Sequence, residues 1–496
     1  MKIIATFRRR FWEIVPGALT WLTFILAVVF SIWLPIWAIY FIIIFDFLWL
    51  MKVIYLIINQ LTAWSRFRRE VKINWLVKIK ALTEKNWQDY YHLIFLPTYK
   101  EPYEVISKTF ASLLDTNYDP KKFILVLAGE ERDQANFSAI AETISKQYRD
   151  KFLKLLITVH PNDLPGEVPG KGSNINYAGH LAQKLIDELK IPYDNVIVSS
   201  FDVDTHPHFQ YFAYLTYKYL THPKPTRVSY QPIALYHNNI WESDPLTRVV
   251  ANSTTFWLFT DLARSDRLFT FSSHSMSFRA LVDVGFWEKD IISEDSRIFL
   301  QCLFRYDGDY QVEPLYIPVS MNTVSTGNFW QAMKDQYKQM QRWAWGVEHI
   351  SYMAKHFKNH PKMPFTIKFK HFFNQLEGMW SWATAPILIT IMGRLPLMLA
   401  GKSIQATAIA QNAPLILEKI MTYSLLGLIL NAFLSTYLMP ERPKTKNWLK
   451  IPLTFLEWIL FPLTMVFFGS IPATDAQTRL MLGGKYRLGF WVTAKK

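Results

Sequence analysis

The chain has 496 residues, half of them hydrophobic and 16% aromatic. That is too long for one ordinary domain and too apolar for a wholly water-soluble protein, while a mean hydropathy of +0.06 is too low for a polytopic transporter. The net charge of +14 raises nucleic acid as a partner, but the basic residues sit beside apolar runs, in MKIIATFRRR and at Arg66, Arg68, Arg69 and Lys72. There they suit anionic lipid, so a lipid bilayer and no nucleic acid is expected. The single cysteine, Cys302, excludes an internal disulfide and a cysteine-based zinc site, in keeping with a cytosolic polar domain.

In chain order, Ile14 to Phe45 carries no charge and the apolar run continues to about Ile58, enough for two spans of about 20 residues each. Pro35 marks the turn between them, and the basic flanks place both ends of this hairpin in the cytosol. The run is too long to be the core of a cleaved signal peptide. From about Leu76 the pattern changes. HLIFLP, FILVLA, LKLLITV and NVIVSSF read as buried strands, and YEVISKTFASLLDT and NINYAGHLAQKLIDEL carry helical periodicity. This alternation predicts an α/β, Rossmann-like, mostly parallel sheet with helices on both faces and ligands at the carboxyl ends of the strands.

Beyond it, PFTIKFKHFF sets Lys368, Lys370 and His371 among aromatics, as an interfacial amphipathic helix does. Apolar spans return at about Gly378 to Pro396, Ile420 to Leu438 and Ile451 to Ser470. Three full crossings would leave the tail outside, whereas Arg479, Lys485, Arg487, Lys495 and Lys496 place it inside. Glu457 and Pro462 set the last span apart as a re-entrant or interfacial candidate. The expected organisation is a membrane hairpin with its basic flank over 1–75, a catalytic domain over 76–355, an interfacial helix over 356–375, and a C-terminal membrane region with a basic tail over 376–496.

Four features of the polar region carry chemistry. Asp202 and Asp204 follow the strand NVIVSS; two carboxylates at alternate positions can share a divalent cation and hold it against a diphosphate, or simply form a solvated turn. PGEVPGKGSNINYAG, 165–179, puts glycines and Lys171 ahead of a helix, which suits phosphate or nucleotide contact, or an ordinary loop. It is not a P-loop, because Gly166 lies one residue too close to Gly170 and Gly172 replaces Ser or Thr. Glu294 and Asp295 follow the small-residue stretch FSSHSMSFRAL; a carboxylate in a cleft can take a proton from a hydroxyl, though such a pair also suits a helix N-terminus. Gln339, Arg342 and Trp343 share one helical face at i, i+3, i+4, offering an amide, a guanidinium and an indole to one partner, or packing at a membrane surface.

In this order and spacing the features resemble the membrane-bound glycosyltransferases of family 2, the group of cellulose, chitin and hyaluronan synthases, with their D-x-D, E-D and Q-x-x-R-W signatures. Leu96-Pro97-Thr98-Tyr99-Lys100-Glu101 is similar to the family's P-T-Y-x-E strand end, and Lys171 to the basic residue of its G-K-x-x-x-x-N segment. The closing PATDAQTRLMLGGKYRLGFWVTAKK looks like the tail of bacterial members. The resemblance implies a GT-A domain flanked by transmembrane helices, and inverting transfer of a sugar from a nucleotide-sugar donor, UDP favoured over GDP, to a growing glycan. By resemblance Thr98, Tyr99 and Glu101 line the nucleoside pocket, with Lys171 and Asp202 near the nucleotide. Asp204, helped by Asp202, holds Mg2+ or Mn2+. Asp295 is the base, beside Glu294; Arg342 supports the diphosphate, and Gln339 and Trp343 belong with the acceptor site.

One departure is LVLAGEERD, where the family has an Asp for the base or ribose. Here Glu130 or Asp133 takes that place, and Glu130 lies nearer the strand end. The Q-x-x-R-W motif and flanking spans imply processive synthesis. The alternatives are a non-processive enzyme acting on a lipid carrier or glycolipid, and, from another class, an inactive membrane transporter or scaffold.

Overall fold

The computed structural model describes residues 2–440, 452 and 455–489, with side chains from Arg10 onward. Two long helices come first, α1 (Lys2–Trp33) and α2 (Pro35–Glu70), joined at Leu34. The central region then alternates strands and helices: β1 (Tyr91–Pro97), α3 (Tyr103–Leu114), β2 (Phe123–Glu130), α4 (Gln134–Tyr148), β3 (Lys154–His160), α5 (Lys171–Glu188) and β4 (Val196–Ser200). After it come β5 (His206–Pro207), α6 (Tyr211–Thr221), β6 (Val228–Leu235), α7 (Pro245–Leu262), β7 (His274–Ser277), α8 (Glu294–Arg305), β8 (Gln311–Ser320) and α9 (Phe329–Ala344). The C-terminal part contains α10 (Phe365–Thr390), α11 (Ala408–Leu438) and α12 (Ile471–Leu482).

The sheet has eight strands in the order β3-β2-β1-β4-β7-β6-β8-β5. Strands β1 to β4 pair in parallel, as the continuous apolar runs predict. The other half departs from a mostly parallel pattern: β7 runs antiparallel to both β4 and β6, and β5 antiparallel to β8. β7 reads HSMS and β5 only two residues, so neither carries an apolar run from which pairing or direction could be read. The sheet buries both faces. Leu93 and Phe95 of β1 join α5, Phe278 and Trp287 in one core, while the alternate residues Ile94 and Leu96 join Phe110, Phe137 and Phe212 in the other, the period of two that a pleated strand imposes.

Among the described residues four helical segments are long and apolar enough to cross a bilayer: Arg10–Trp33, Pro35–Glu70, Ala408–Leu438 and Glu457–Leu482. A fifth arises if α10 and Met392–Leu399, bent by 52° against each other, form one span. The segment PFTIKFKHFF is not a separate element, because its helical pattern runs on without a break into the apolar stretch as α10. Its Phe365, Phe369 and Phe373 stack along one exposed face. The expected span start at Ile451, and Lys495 and Lys496, lie outside the described residues.

Phe123 is fully buried, with ring centroids 4.5 Å from Phe212 and 5.8 Å from Tyr118. Phe123→Ala is therefore expected to destabilise the central region by about 3–5 kcal/mol, read as a lower unfolding midpoint in detergent. A change within error would mean that this core is not closely packed.

Candidate active site

The carboxyl ends of β1, β2 and β4 lie side by side, and the residues that follow them gather at one edge of the sheet. β4 ends at Ser200, and the Phe201 amide extends its ladder by donating to Phe95 O at 3.1 Å. Asp202 follows at once. Asp204 is buried two residues on, its Oδ2 accepting the Asn322 amide at 3.0 Å while Asn238 Nδ2 donates to its carbonyl at 2.9 Å.

Lys171 opens α5 and reaches across this edge. Its Nζ lies 2.8 Å from Asp202 Oδ1 and 2.9 Å from Asp295 Oδ2, so one ammonium joins carboxylates 93 residues apart along the chain. A cation at a helix N-terminus works against the helix dipole, and the two aspartates offset that. Burial pulls the Lys171 pKa down, but Asp202, Asp295 and Glu294 together push it further up, above its ordinary value. Gly172 makes the approach possible: a Cβ there would stand 2.9 Å from Glu288 O and 3.1 Å from Glu294 Cβ. The glycine after the lysine thus serves close packing of α5 against the Glu294 turn, which accounts for the departure from a P-loop.

Glu294 and Asp295 form the first turn of α8. The Asp295 carbonyl accepts the Thr270 hydroxyl at 2.5 Å, fixing the backbone. Its Oδ1 is buried without a hydrogen-bond partner and stands 3.8 Å from His274 Nδ1. The Glu294 carboxyl is pushed up to about 7, first by burial and then by Asp295, against the pull of Lys171 and Arg342. That the Arg342 charge acts on Glu294 places α9 on the same site. On α9 the predicted face is realised: Gln339, Arg342 and Trp343 are half-buried together, while Met340, Gln341 and Ala344 are buried on the opposite side. Gln339 accepts from Gln336 Nε2 at 3.2 Å, a contact within its own helix, and Trp343 packs against Tyr236, with centroids 5.9 Å apart.

A second group lies at the ends of β1 and β2. Glu101 Oε2 accepts the Thr98 hydroxyl at 2.8 Å and the Tyr99 amide at 2.6 Å, tying Thr98, Tyr99 and Glu101 into one turn. Asp133 takes the Lys100 amide at 2.9 Å. Glu130, buried at the end of β2, accepts Arg132 Nε at 2.8 Å, and the Arg132 guanidinium lies 4.5 Å from the Tyr99 ring centre. Burial pushes the Glu130 carboxyl up against the pull of Arg132. Next to it Glu130, Arg132, His160 and Glu167 help to line a cavity of about 300 Å³. Asn174 of α5 joins this group to the first by donating to Ala128 O at 2.8 Å.

Three further side chains belong here that sequence reasoning did not single out. Tyr236 follows β6, and burial together with Asp202, Asp204 and Asp295 pushes its phenol up, so it remains a proton donor. His274 of β7 is fully buried and held neutral by burial; the histidine within FSSHSMSFRAL was its only signal. Arg132 was visible within LVLAGEERD, next to the glutamate it pairs with. Among the described residues no group of three or more histidine, cysteine or acidic side chains gathers as a metal cage. The donor set at Asp202 and Asp204 is of hard oxygens, and fits ions that bind through one or two carboxylates and substrate phosphates.

Residues 197–469, more than half of the sequence, match the family described as glycosyl transferase family group 2. The chain belongs to this family. It is thus an enzyme that transfers a sugar from a nucleotide-sugar donor, and its mixed sheet is a GT-A-like fold. The match takes in Asp202, Asp204, Glu294, Asp295, Gln339, Arg342 and Trp343, and begins after Lys171. No curated protein matches the sequence.

Among solved structures, the mannosyltransferase PcManGT from Pyrobaculum calidifontis, in complex with GDP-Man and Mn2+, is 15% identical. The similarity covers 76% of this glycosyltransferase and 98% of that chain at a TM-score of 0.43. TarS 1–349 from S. aureus, in complex with UDP-GlcNAc, is 13% identical, covering 68% and 90% at a TM-score of 0.32.

The raised Glu294 carboxyl has a signed consequence. An acid bound more tightly to its proton in the folded state stabilises the fold below its unfolded value and loses that contribution as pH rises through the folded one. Stability should therefore fall between 4.5 and about 7 by a contribution on the order of a few kcal/mol. Glu294→Gln should flatten that slope in thermal unfolding across a pH series, and an unchanged slope would assign it to other groups.

Proposed function

We propose that this glycosyltransferase is a membrane-embedded, inverting, metal-dependent polysaccharide synthase whose catalytic domain faces the cytosol. What supports the reading above all is the Lys171 bridge, which draws the D-x-D and E-D segments to one point. In the proposed reaction the acceptor hydroxyl oxygen attacks the anomeric carbon as the bond to the diphosphate oxygen breaks, and Asp295 takes the hydroxyl proton at its carboxylate. Thr270 fixes the backbone that carries it, and Lys171 holds its Oδ2. Lys171 and Arg342 are the cations available to the negative charge that builds on the departing diphosphate. Asp204, with Asp202, would hold Mg2+ or Mn2+, whose chemistry is further neutralisation of that charge.

Thr98, Tyr99, Glu101 and Glu130 take the nucleoside, with a UDP-sugar as the expected donor. Trp343, supported by Tyr236, offers its flat face to the acceptor sugar. Processive synthesis is favoured by what surrounds Trp343. It packs with Trp382 of α10 around Met340 and Phe468, so the acceptor side of the site opens where the catalytic domain meets the apolar helices. The basic residues Arg66, Arg68, Arg69 and Lys72, at the end of α2 beside the catalytic domain, favour the cytosolic side for it.

Asp295→Asn is expected to lower turnover roughly a hundred- to ten-thousand-fold while calorimetry still records donor binding; unchanged turnover would remove Asp295 as the base. With a panel of labelled UDP- and GDP-sugars, nucleotide release should stop on chelation and return with Mg2+ or Mn2+. Sizing the product should give a ladder. A single added sugar would refute polymerisation in favour of transfer to a lipid carrier.

A further inference from the structure

A buried set of polar side chains stands behind Glu294 and Asp295 and takes no direct part in the proposed reaction. At its centre are Arg297 of α8 and His349, both buried. Arg297 donates through Nη1 to Glu288 Oε2 at 2.6 Å and through Nε to His349 Nδ1 at 3.2 Å, with its guanidinium 3.7 Å from the Tyr352 ring centre. The other ring nitrogen, His349 Nε2, lies 2.8 Å from the Ser296 hydroxyl oxygen. Ser296 donates back to Ser293 O at 3.2 Å, and Ser293 donates its own hydroxyl to Glu348 Oε1 at 3.2 Å.

Donor and acceptor counting fixes where each proton sits. A guanidinium offers only N–H groups, so His349 Nδ1 is the acceptor, and a neutral imidazole then carries its one N–H on Nε2. Nε2 therefore donates to Ser296, whose hydroxyl hydrogen is left for Ser293 O. The ring is kept neutral, first by burial and then by the Arg297 charge beside it, which preserves the acceptor that Arg297 requires. Buried polar groups are costly without partners, and this assignment leaves both ring nitrogens and both serine hydroxyls partnered.

The set grips the first turn of α8. Ser293 precedes that helix at its N-cap position, and Ser296 and Arg297 follow directly on Asp295. The gripping residues come from the turn Trp345–Glu348 and the helix His349–His356, which continue α9. This turn is a firm platform, because Trp345, Val347 and Ile350 pack with Ile292, Ala473 and Ala476 in one buried cluster. His349 comes six residues after Trp343 and seven after Arg342. The stretch of chain that offers a cation to the diphosphate and an indole to the acceptor thus goes on to hold the turn that carries the base. At the other end of the set, the carbonyl of Glu288 stands where a Cβ on Gly172 would come within 2.9 Å, one residue from Lys171.

We propose that His349 is a positioning residue for the base: through Ser296 and Arg297 it holds the first turn of α8 at the angle that presents Asp295 to the acceptor hydroxyl, in register with Arg342 and Trp343. The inference rests on Asp295 as the base. A misplacement of about 1 Å between reacting groups is enough to cost a large factor in rate, so the loss of one bond to Ser296 should be visible in turnover.

His349→Asn tests this. Asparagine keeps an acceptor near the place of Nδ1 for Arg297, but its amide is too short to donate to Ser296. With the full chain in detergent, turnover of the UDP- or GDP-sugar selected by the donor panel should fall roughly ten- to a hundredfold, while KM for that donor and calorimetric binding of its nucleoside diphosphate stay as they are. His349→Gln brings an amide N–H to the place of Nε2 and should recover much of the loss. In the Asp295→Asn protein, where no base is left to orient, His349→Asn should cost nothing further. Full turnover in His349→Asn, or the same loss with and without Asp295, would overturn the proposal. Hydrogen exchange over residues 293–299 reads the grip itself and should quicken in His349→Asn; unchanged exchange would overturn the proposal whichever residue is the base. Full turnover in Asp295→Asn alone would instead strike the base assignment.

Discussion

One ammonium group decides how this site is built. Lys171 opens a helix at the position where the dipole least favours a cation, and it is stable there because Asp202 and Asp295 meet it from two other elements. β4 delivers Asp202, α8 delivers Asp295, and Gly172 lets α5 close on the Glu294 turn. Removing the charge would leave two carboxylates facing each other within a largely buried cluster, so the local fold and the proposed chemistry share the same contact. The Glu294 carboxyl beside it holds its proton more tightly, first because it is buried and then because Asp295 is close.

The apolar helices are built onto the sheet domain through the helix of Arg342. Asp475 of α12 holds Tyr337 and Gln341 of α9 and is itself held by Arg479 at 2.7 Å. The same helix is clamped to α1 by Thr20 and Gln477 and to α10 by Gln477 and the Met379 carbonyl, each at 2.8 Å. Gly17 is required where α1 and α12 touch, since a Cβ there would lie 2.7 Å from Gln477 O. The orientation of Arg342 and Trp343 is thus set jointly by the sheet, through Tyr236, and by the apolar helices α1, α10 and α12.

Much of this was legible in the sequence where a residue pattern and a physical period coincide. The four parallel strands announced themselves as apolar runs, and the helices between them by their buried stripes. β5 and β7 were silent, being short and polar and held only by neighbours supplied from elsewhere in the chain. The motifs singled out Lys171, Asp202 and Asp295, but the contact joining them depends on sheet order, which no local pattern encodes. His274 and Tyr236 were missed for the same reason: each is a lone residue without a partner at a telling spacing. Glu457 and Pro462 marked the last apolar segment as unusual, while the reason, its ion pair with Arg248, lies some two hundred residues away.

The central claim is that residues scattered from Thr98 to Trp343 converge on one nucleotide-sugar diphosphate. A crystal structure of the protein with Mn2+ and an unreactive donor analogue tests this most directly. The anomalous signal of the ion should fall beside Asp204 against the diphosphate, with the nucleoside between Tyr99 and Glu130 and the anomeric carbon turned towards Asp295. An ion or donor bound away from the edge where Lys171 meets Asp202 and Asp295 would contradict the account.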